Sequence, residues 1–180
     1  HGWIVGGLYN IAESGDLIMR TADGGATWEN QRSDASCMLT SVHFIDQNTG
    51  WAVGRSGCII RTDDGGNTWK LQQDNSTVWE LNDIYFTDAF NGFAVGGQDM
   101  QPGAFDRTGV MLQTIDGGDN WVIREIYNKS YVSSVNFSGS MKGWIVGDNG
   151  MILHSFDAGN TWSYQSTSAT FSQLFSVSFI

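Results

Sequence analysis

An eight-residue stretch is written four times along this chain: Thr21-Ala-Asp-Gly-Gly-Ala-Thr-Trp28, Thr62-Asp-Asp-Gly-Gly-Asn-Thr-Trp69, Thr114-Ile-Asp-Gly-Gly-Asp-Asn-Trp121 and Ser155-Phe-Asp-Ala-Gly-Asn-Thr-Trp162. Each copy follows a short apolar run and reads Ser/Thr-x-Asp-x-Gly-x-Thr/Asn-Trp. The spacing predicts a strand that ends at the Ser/Thr and turns back at once. The carboxylates of Asp23, Asp64, Asp116 and Asp157 accept backbone N–H groups of the turn, and Gly25, Gly66, Gly118 and Gly159 supply the positive φ. Trp28, Trp69, Trp121 and Trp162 then start the returning strand and fold their rings over it.

Two further motifs recur in step. Gly2-Trp-Ile-Val-Gly6, Gly50-Trp-Ala-Val-Gly54, Gly92-Phe-Ala-Val-Gly96 and Gly143-Trp-Ile-Val-Gly147 precede the turns. Ahead of these lie Leu39-Thr-Ser-Val-His-Phe44, Leu81-Asn-Asp-Ile-Tyr-Phe86 and Val132-Ser-Ser-Val-Asn-Phe137, and a fourth copy, Leu174-Phe-Ser-Val-Ser-Phe179, ends the chain. The unit therefore has four short strands: A (Ser-Val-x-Phe), B (Gly-Trp-x-Val-Gly), C (the apolar run) and D (from the box Trp). Four antiparallel strands in about 40 to 50 residues is the period of a β-propeller blade. A lone blade buries too little, so blades pack face to face, and strands apolar on both faces fit that packing. The expected fold is all-β: a single propeller domain over 1–180. Its blades run over about 1–31 (with 171–180 as an added strand), 37–74, 78–127 and 130–166.

A longer period overlies the first. Trp28 and Trp121, Trp51 and Trp144, Trp69 and Trp162, and Phe86 and Phe179 are each 93 residues apart, so a two-blade unit is written twice. The chain starts in strand B and stops just after a strand A. Two readings follow: the C-terminal strand A pairs with the N-terminal strand B and closes the ring, removing the free edges, or the four repeats are a segment of a larger propeller. The opening His1-Gly2-Trp3, without an initiating Met or a signal peptide, reads as a processed or excised piece.

Composition narrows the functional classes. Only 9 Lys and Arg stand against 19 Asp and Glu, for a net charge of −10, where nucleic-acid binding needs a basic footprint and docking on anionic lipid needs cations. No run of about 18 apolar residues offers a span. His1, His43 and His154 are scattered and form no metal site. Cys37 and Cys58 enter strands A and C of one blade with strand B between them. Twice the strand spacing is about 9–10 Å, beyond the roughly 7 Å reach of a disulfide, so two thiols are expected unless the link before strand A bends over.

The repeated boxes resemble the Asp-box, or bacterial neuraminidase repeat. Joined to Gly-Trp-x-Val-Gly, they look most like the propellers related to the photosystem II assembly and stability factor, over essentially the whole chain. That resemblance implies export, to a thylakoid lumen, periplasm or cell surface, and a non-catalytic scaffold that grips other proteins. It also implies that the boxes are structural and face away from the functional loops. Members of that family generally have more than four blades. No cofactor is implied, and a Ca²⁺ loop would need more oxygen ligands than the boxes hold.

Binding chemistry is expected on the face opposite the boxes, which carries the B–C and D–A connections. Blades two and four have two-residue B–C links, Arg55-Ser56 and Asp148-Asn149. Blades one and three have long ones, Leu8–Ser14 and Gln98–Arg107, and long loops raised on a rigid scaffold commonly carry function. Tyr9, Met100 and Phe105 are the natural anchors; Glu13, Arg32, Arg55 and Arg107 share the face. Three arginines with Tyr9 and Glu13 invite comparison with a sialidase, but the Arg-Ile-Pro companion of the first sialidase arginine is absent. The acids Glu13, Asp16, Asp34, Asp74, Asp99, Asp106 and Asp148 are candidates for a hydrolytic pair. The leading reading is a protein-binding, assembly-type propeller without catalysis. Second stands a carbohydrate-binding or glycoside-hydrolase-type propeller, and third a structural segment of a bacterial surface protein, with pairing of two chains through propeller edges a further option.

Overall fold

Each copy of the double motif folds into its own antiparallel sheet. In the computed structural model, which describes residues 1–10, 13–33, 35, 37–73, 79–98, 107–128, 130–166, 168 and 171–180, the first sheet contains β1 (Gly2–Asn10), β2 (Glu13–Thr21) and β3 (Glu29–Gln31). The second holds β4 (Leu39–Phe44), β5 (Gly50–Gly54), β6 (Ile59–Thr62) and β7 (Lys70–Gln73). β8 (Glu80–Phe86), β9 (Gly92–Gln98), β10 (Thr108–Thr114) and β11 (Val122–Asn128) form the third, and β12 (Val132–Ser138), β13 (Lys142–Gly147), β14 (Ile152–Ser155) and β15 (Ser163–Tyr164) the fourth. In the last three sheets the strands pair in chain order A-B-C-D, as blades do.

The core lies between sheets, not within one. Ile18, Leu39, Ala52, Cys58 and Ile60 fill the first seam; Trp51, Val53, Ile59, Leu81 and Phe86 the second; Phe93, Val95, Met111, Phe137 and Leu153 the third. Strand B serves two seams at once. Trp51 and Val53 of β5 face the third sheet while Ala52 faces the first, so all five residues of the strand are buried.

One ring contact repeats at the seams. The strand-B Trp lies flat on the strand-A Phe of the next blade: Trp3 on Phe44 at 3.5 Å between centroids, and Trp51 on Phe86 at 3.5 Å. Each of these Phe rings is met edge-on by its own box Trp, at 5.8 Å for Phe44–Trp69 and 5.9 Å for Phe86–Trp121. The Phe rings also lie where a Cβ of Gly50, Gly92 or Gly143 would be, and only glycine at the start of strand B lets them in.

Closure of the ring by the C-terminal strand A is not formed. Among the described residues β1 pairs with β2 alone, and the end of the chain runs along the fourth sheet instead. There the Val177 N–H donates to Ser134 Oγ at 3.4 Å, the Phe179 N–H to Asn136 Oδ1 at 3.0 Å and the Leu174 N–H to the Gly147 carbonyl at 3.1 Å. Phe179 stacks on Trp144 at 3.7 Å. The same Trp-on-Phe contact that joins successive blades thus holds the last strand A at the trailing side of blade four, away from β1.

The two cysteines are bonded to each other, contrary to the expectation of free thiols, with Cα atoms 6.4 Å apart. The cause is local. Cys37 and Met38 do not continue the line of β4 but fold over the end of β5, where Arg55 N–H donates to the Met38 carbonyl at 2.9 Å. Cys37 therefore sits above strand B, within reach of Cys58.

Candidate functional site at the loop face around Arg107 and Tyr131

The boxes occupy one face and their geometry is closed on itself. In each, the first hydroxyl accepts the N–H of the Gly four residues on, at 2.9, 2.8, 2.9 and 2.9 Å from Gly25, Gly66, Gly118 and Gly159. The same hydroxyl donates to the Asp: Thr21 to Asp23, Thr62 to Asp64, Thr114 to Asp116 and Ser155 to Asp157. The Asp also accepts the N–H and side chain of Thr27, Thr68, Asn120 or Thr161. These bonds favour the charged form. The Asn120 side chain, its N–H and the Thr114 hydroxyl hold Asp116 down to about 2; the Thr161 hydroxyl, its N–H and the Ser155 hydroxyl do the same for Asp157, at about 2. Asp23 lies well below the usual range, chiefly through the Thr27 hydroxyl. Box N–H groups reach the A–B turns beside them, Gly65 to Asn48, Gly117 to Phe90 and Ala158 to Met141. Both oxygens of each carboxylate are thus engaged by the turn itself.

On the opposite face the short B–C links are 3-10 turns, Arg55–Gly57 and Asp148–Gly150, in which Ser56 and Asn149 both take φ of 57°. Each turn is hooked to the start of strand A in its own blade, Arg55 N–H to Met38 and Asp148 N–H to Tyr131 at 2.9 Å. The backbone hook places the side chains. Asp148 is buried and faces Arg107 of blade three, whose Nη1 lies 3.0 Å from its carboxylate. The Arg107 guanidinium also lies over the Tyr131 ring, 5.6 Å from the centroid. Tyr131 reaches back to Asn82 Oδ1 at 3.4 Å, and Asn82 donates 2.7 Å to the Val132 carbonyl. A cavity of about 360 Å³ opens here, lined by Asn82, Arg107, Tyr131, Ser133, Asp148, Gln173 and Phe175. Its wall is held rigid by contacts between blades, while Phe175 is largely exposed.

Of the residues expected on this face, Arg55 and Arg107 are found there, on separate seams. Arg55 pairs with Glu80 at 3.3 Å, and Arg107 with Asp148. Arg32 is exposed and takes part in neither pair. The B–C connection of blade one is not a loop at its base but a hairpin arm, since β1 and β2 stay paired out to Asn10 and Glu13, with Tyr9 opposite Ser14. Met100 and Phe105 lie outside the described residues. Among the described residues no group of three metal-ligating side chains occurs, and no helix is long and apolar enough to cross a membrane.

Tyr131, Asn82, Gln173 and Phe175 were not singled out by motif, yet the repeat marks them. Aligned blades place Met38, Glu80, Tyr131 and Gln173 at one position, and Thr40, Asn82, Ser133 and Phe175 two residues later. These two positions vary in chemistry between copies, as does the His43, Tyr85, Asn136 and Ser178 position, while the Leu/Val between them and the Val/Ile and Phe further on stay apolar. Within a repeat, such variation marks the positions that packing leaves free.

Fold and site together define a propeller of Asp-box blades, with its turns on one face and a pocketed rim on the other. The chain belongs to the family described as photosynthesis system II assembly factor YCF48, whose sequence profile matches residues 1–77, 26–100 and 70–171. It is 32% identical over 116 residues to the photosystem II assembly lipoprotein Ycf48 of Synechococcus sp. (strain CC9902), an alignment covering 62% of this chain and 32% of that protein. The chain thus spans about a third of the length of that curated relative. Among solved structures it is similar to YCF48 bound to D1 peptide, with a TM-score of 0.61 at 25% identity over 76% of this chain and 43% of that one. An ancestral GH74 enzyme matches with a TM-score of 0.63 over 86% of this chain and 22% of the enzyme. At 16% identity that likeness is one of fold alone.

Proposed function

We propose that this chain is a non-catalytic, protein-binding propeller of assembly-factor type, and that it holds an extended segment of a partner protein at the cavity between blades three and four. The carrying observation is the Arg107–Tyr131–Asp148 cluster, a preorganised wall beside the exposed ring of Phe175. Amide and hydroxyl groups of Asn82, Gln173 and Ser133 suit the backbone groups of an extended peptide, and Phe175 suits an apolar side chain. A structural relative is bound to a D1 peptide, and a peptide ligand is the chemistry this lining favours. Tyr9, Glu13, Met100 and Phe105 belong to the segments that join strands B and C on the same face, and the proposal includes them as flanking contacts.

Glycan hydrolysis is the weaker reading. Such chemistry uses two carboxylates, whereas Asp148 is the one carboxylate among the described residues that line this cavity, and it is tied to Arg107. Export fits the disulfide, which persists in oxidising compartments, and fits the lipoprotein relative.

The test is binding of a D1 peptide to the chain by fluorescence anisotropy, with Phe175→Ala and Arg107→Ala beside the parent. Phe175 is exposed, so its truncation leaves the fold intact, and affinity should fall at least tenfold, about 1.4 kcal/mol. Binding unaffected by both substitutions would move the interface elsewhere. No binding at all, with the fold intact, would overturn the peptide reading.

A further inference from the structure

The third seam departs from the other two at one residue of strand D. The third residue after the box Trp is Gln31, Gln72, Arg124 and Gln165 in the four blades. In the first seam the Gln31 carboxamide lies where a Cβ of Gly66 would be, and in the second the Gln72 carboxamide comes within 3.3 Å of that place on Gly118. Each glutamine thus fills the space between its own strand D and the box of the next blade. Arg124 is exposed instead, and a cavity of about 330 Å³ opens between β11 and the fourth box. Buried Met111 and Gly159 lie at its base with Trp162, and the exposed Val122 and Ile123 at its mouth.

Apolar side chains gather around this opening. Ile115 and Phe156, second residues of the third and fourth boxes, and Phe90 and Met141, in the A–B turns of the same blades, are between 53% and 73% exposed. Backbone bonds hold these four segments side by side. The Gly117 N–H joins box three to the Phe90 carbonyl, the Ala158 N–H joins box four to the Met141 carbonyl, and Gly159 faces the Phe93 ring across the seam. Blade two has Asn48, Asp63 and Lys70 where blade three has Phe90, Ile115 and Val122. The turns therefore do not need apolar residues there, and packing between blades buries none of them. Contiguous exposed apolar surface marks a contact, and a hollow within it takes an anchor side chain.

The charge around the patch is negative. Asp88, Asp116, Asp119 and Asp157 lie in the same turns and Glu125 at the cavity, against the two cations Arg124 and Lys142. Hydrogen bonds within the turns keep Asp116 and Asp157 ionised. Such a rim repels anionic lipid and favours a partner of opposite charge. We infer that the box-side end of the seam between blades three and four is a docking surface for a basic amphipathic segment of a partner protein. That segment seats one aliphatic or aromatic side chain in the cavity beside Trp162 and sets lysines or arginines against the carboxylate rim. The surface lies on the face opposite the Arg107–Tyr131 pocket, and the inference does not depend on what that pocket binds.

The probe is a labelled peptide of about 18 leucines and lysines, five turns of helix with every leucine on one face, beside a counterpart with glutamate for lysine. Fluorescence anisotropy should show the parent chain binding the lysine peptide, more weakly as salt rises, and the glutamate peptide at least tenfold more weakly. Ile115→Ser and Phe156→Ser should each cost at least tenfold in affinity, whereas Leu71→Ser, at an exposed apolar residue of blade two, should change nothing. Arg124→Gln restores the residue of the other blades and fills the cavity. By charge alone it would strengthen binding of a cationic peptide, so the tenfold loss expected here reports the cavity. All four positions are exposed, so thermal melts should match the parent, and D1-peptide binding at the loop face should be unchanged. No binding of the lysine peptide overturns the inference, as does equal affinity in Ile115→Ser and Phe156→Ser or for the glutamate peptide. Preference for phosphatidylcholine vesicles over the peptide, or a parent dimer that Phe156→Ser dissolves, overturns it as well, giving the patch to a membrane or to a second copy.

Discussion

Trp51 lies flat against Phe86, with 3.5 Å between ring centroids and 8° between ring planes. Its indole N–H donates 2.9 Å to the carbonyl oxygen of Gly117 in the box of the next blade. One side chain thus welds two blades through their strands and through a turn. Arg61, over the Trp51 ring at 5.4 Å, adds a second donor to the same carbonyl at 3.0 Å. Trp3 repeats the arrangement one seam earlier, on Phe44 and Gly65. At the third seam Phe93 stands where Trp would be, and its ring sits 5.1 Å from Phe137 with no donor to offer.

The first prediction separates the two parts of that weld. Trp51→Ala removes a fully buried ring and should cost about 3–5 kcal/mol. Trp51→Phe keeps most of the stacking and loses the N–H donor, and should cost about 1–2 kcal/mol, the range of one buried hydrogen bond with some loss of contact. Urea midpoints of the two variants measure the difference. Equal losses would show that the indole bond, not the stacking, dominates the seam.

A second prediction arises where the repeat departs from its own rule. Gly24, Gly65 and Gly117 take φ of 75°, 71° and 77°, and the fourth box has Ala158 at 60°. A left-handed conformation costs a residue with a Cβ about 1–2 kcal/mol, and glycine loses about 0.5–1 kcal/mol of that through its freer unfolded chain. Ala158→Gly should therefore stabilise by about 0.5–1 kcal/mol. Gly117→Ala should destabilise by more, because its Cβ would also press on the Ala89 carbonyl and the Arg61 guanidinium at 2.9 Å. Thermal melts of both decide the sign.

Much of this was legible in the chain, for a physical reason that also sets the limit. Turns are local: Thr62, Asp64, Gly66 and Thr68 bond among themselves, so eight residues suffice to specify the geometry. The sheets follow because each box fixes the register of strands C and D. What joins distant pieces was not legible. The route of Cys37 and Met38 over β5, which brings Cys37 to Cys58, goes with the Met38–Arg55 bond and not with any pattern read in the sequence. The seat of Phe179 on Trp144 repeats the Trp51–Phe86 stack one 93-residue period later, a contact between blades that no motif within one blade marks. The rim pocket depends on Arg107 crossing a seam to Asp148, 41 residues away.

The third prediction concerns acid. Asp116 and Asp157 titrate at about 2 in the folded chain, against about 4 for an unperturbed Asp. The unfolded chain takes up protons first, so the stability these groups contribute is complete above about pH 4 and is lost as pH falls towards 2. Urea midpoints should drop across that window. Asp116→Asn removes one titration and should make the fall shallower. In parallel, Asp64→Ala should cost about 1–3 kcal/mol through its lost bonds and leave peptide affinity of the folded fraction unchanged. Full stability with lost affinity would assign the boxes to the binding site.

The fourth prediction uses the disulfide. Cys37 and Cys58 close a loop with a sequence separation of 21 and lie buried at the first seam, beside Leu39, Ala52 and Ile60. Constraint of the unfolded chain by a loop of this size is worth about 3 kcal/mol. The bridge also pins Cys37 and Met38 over β5, at the end of the link by which blade one reaches blade two. Replacing both cysteines with Ala should lower stability by about 2–4 kcal/mol, with amide-exchange protection falling most in β1, β2 and β4. Adding reductant to the parent should reproduce that loss, and adding it to the double variant should change nothing. The two results must agree, because Ala leaves no polar group in the seam and reduction leaves two thiols that behave as small apolar groups. A parent whose urea midpoint is the same with and without reductant would show that the link before strand A is held by its backbone bonds alone.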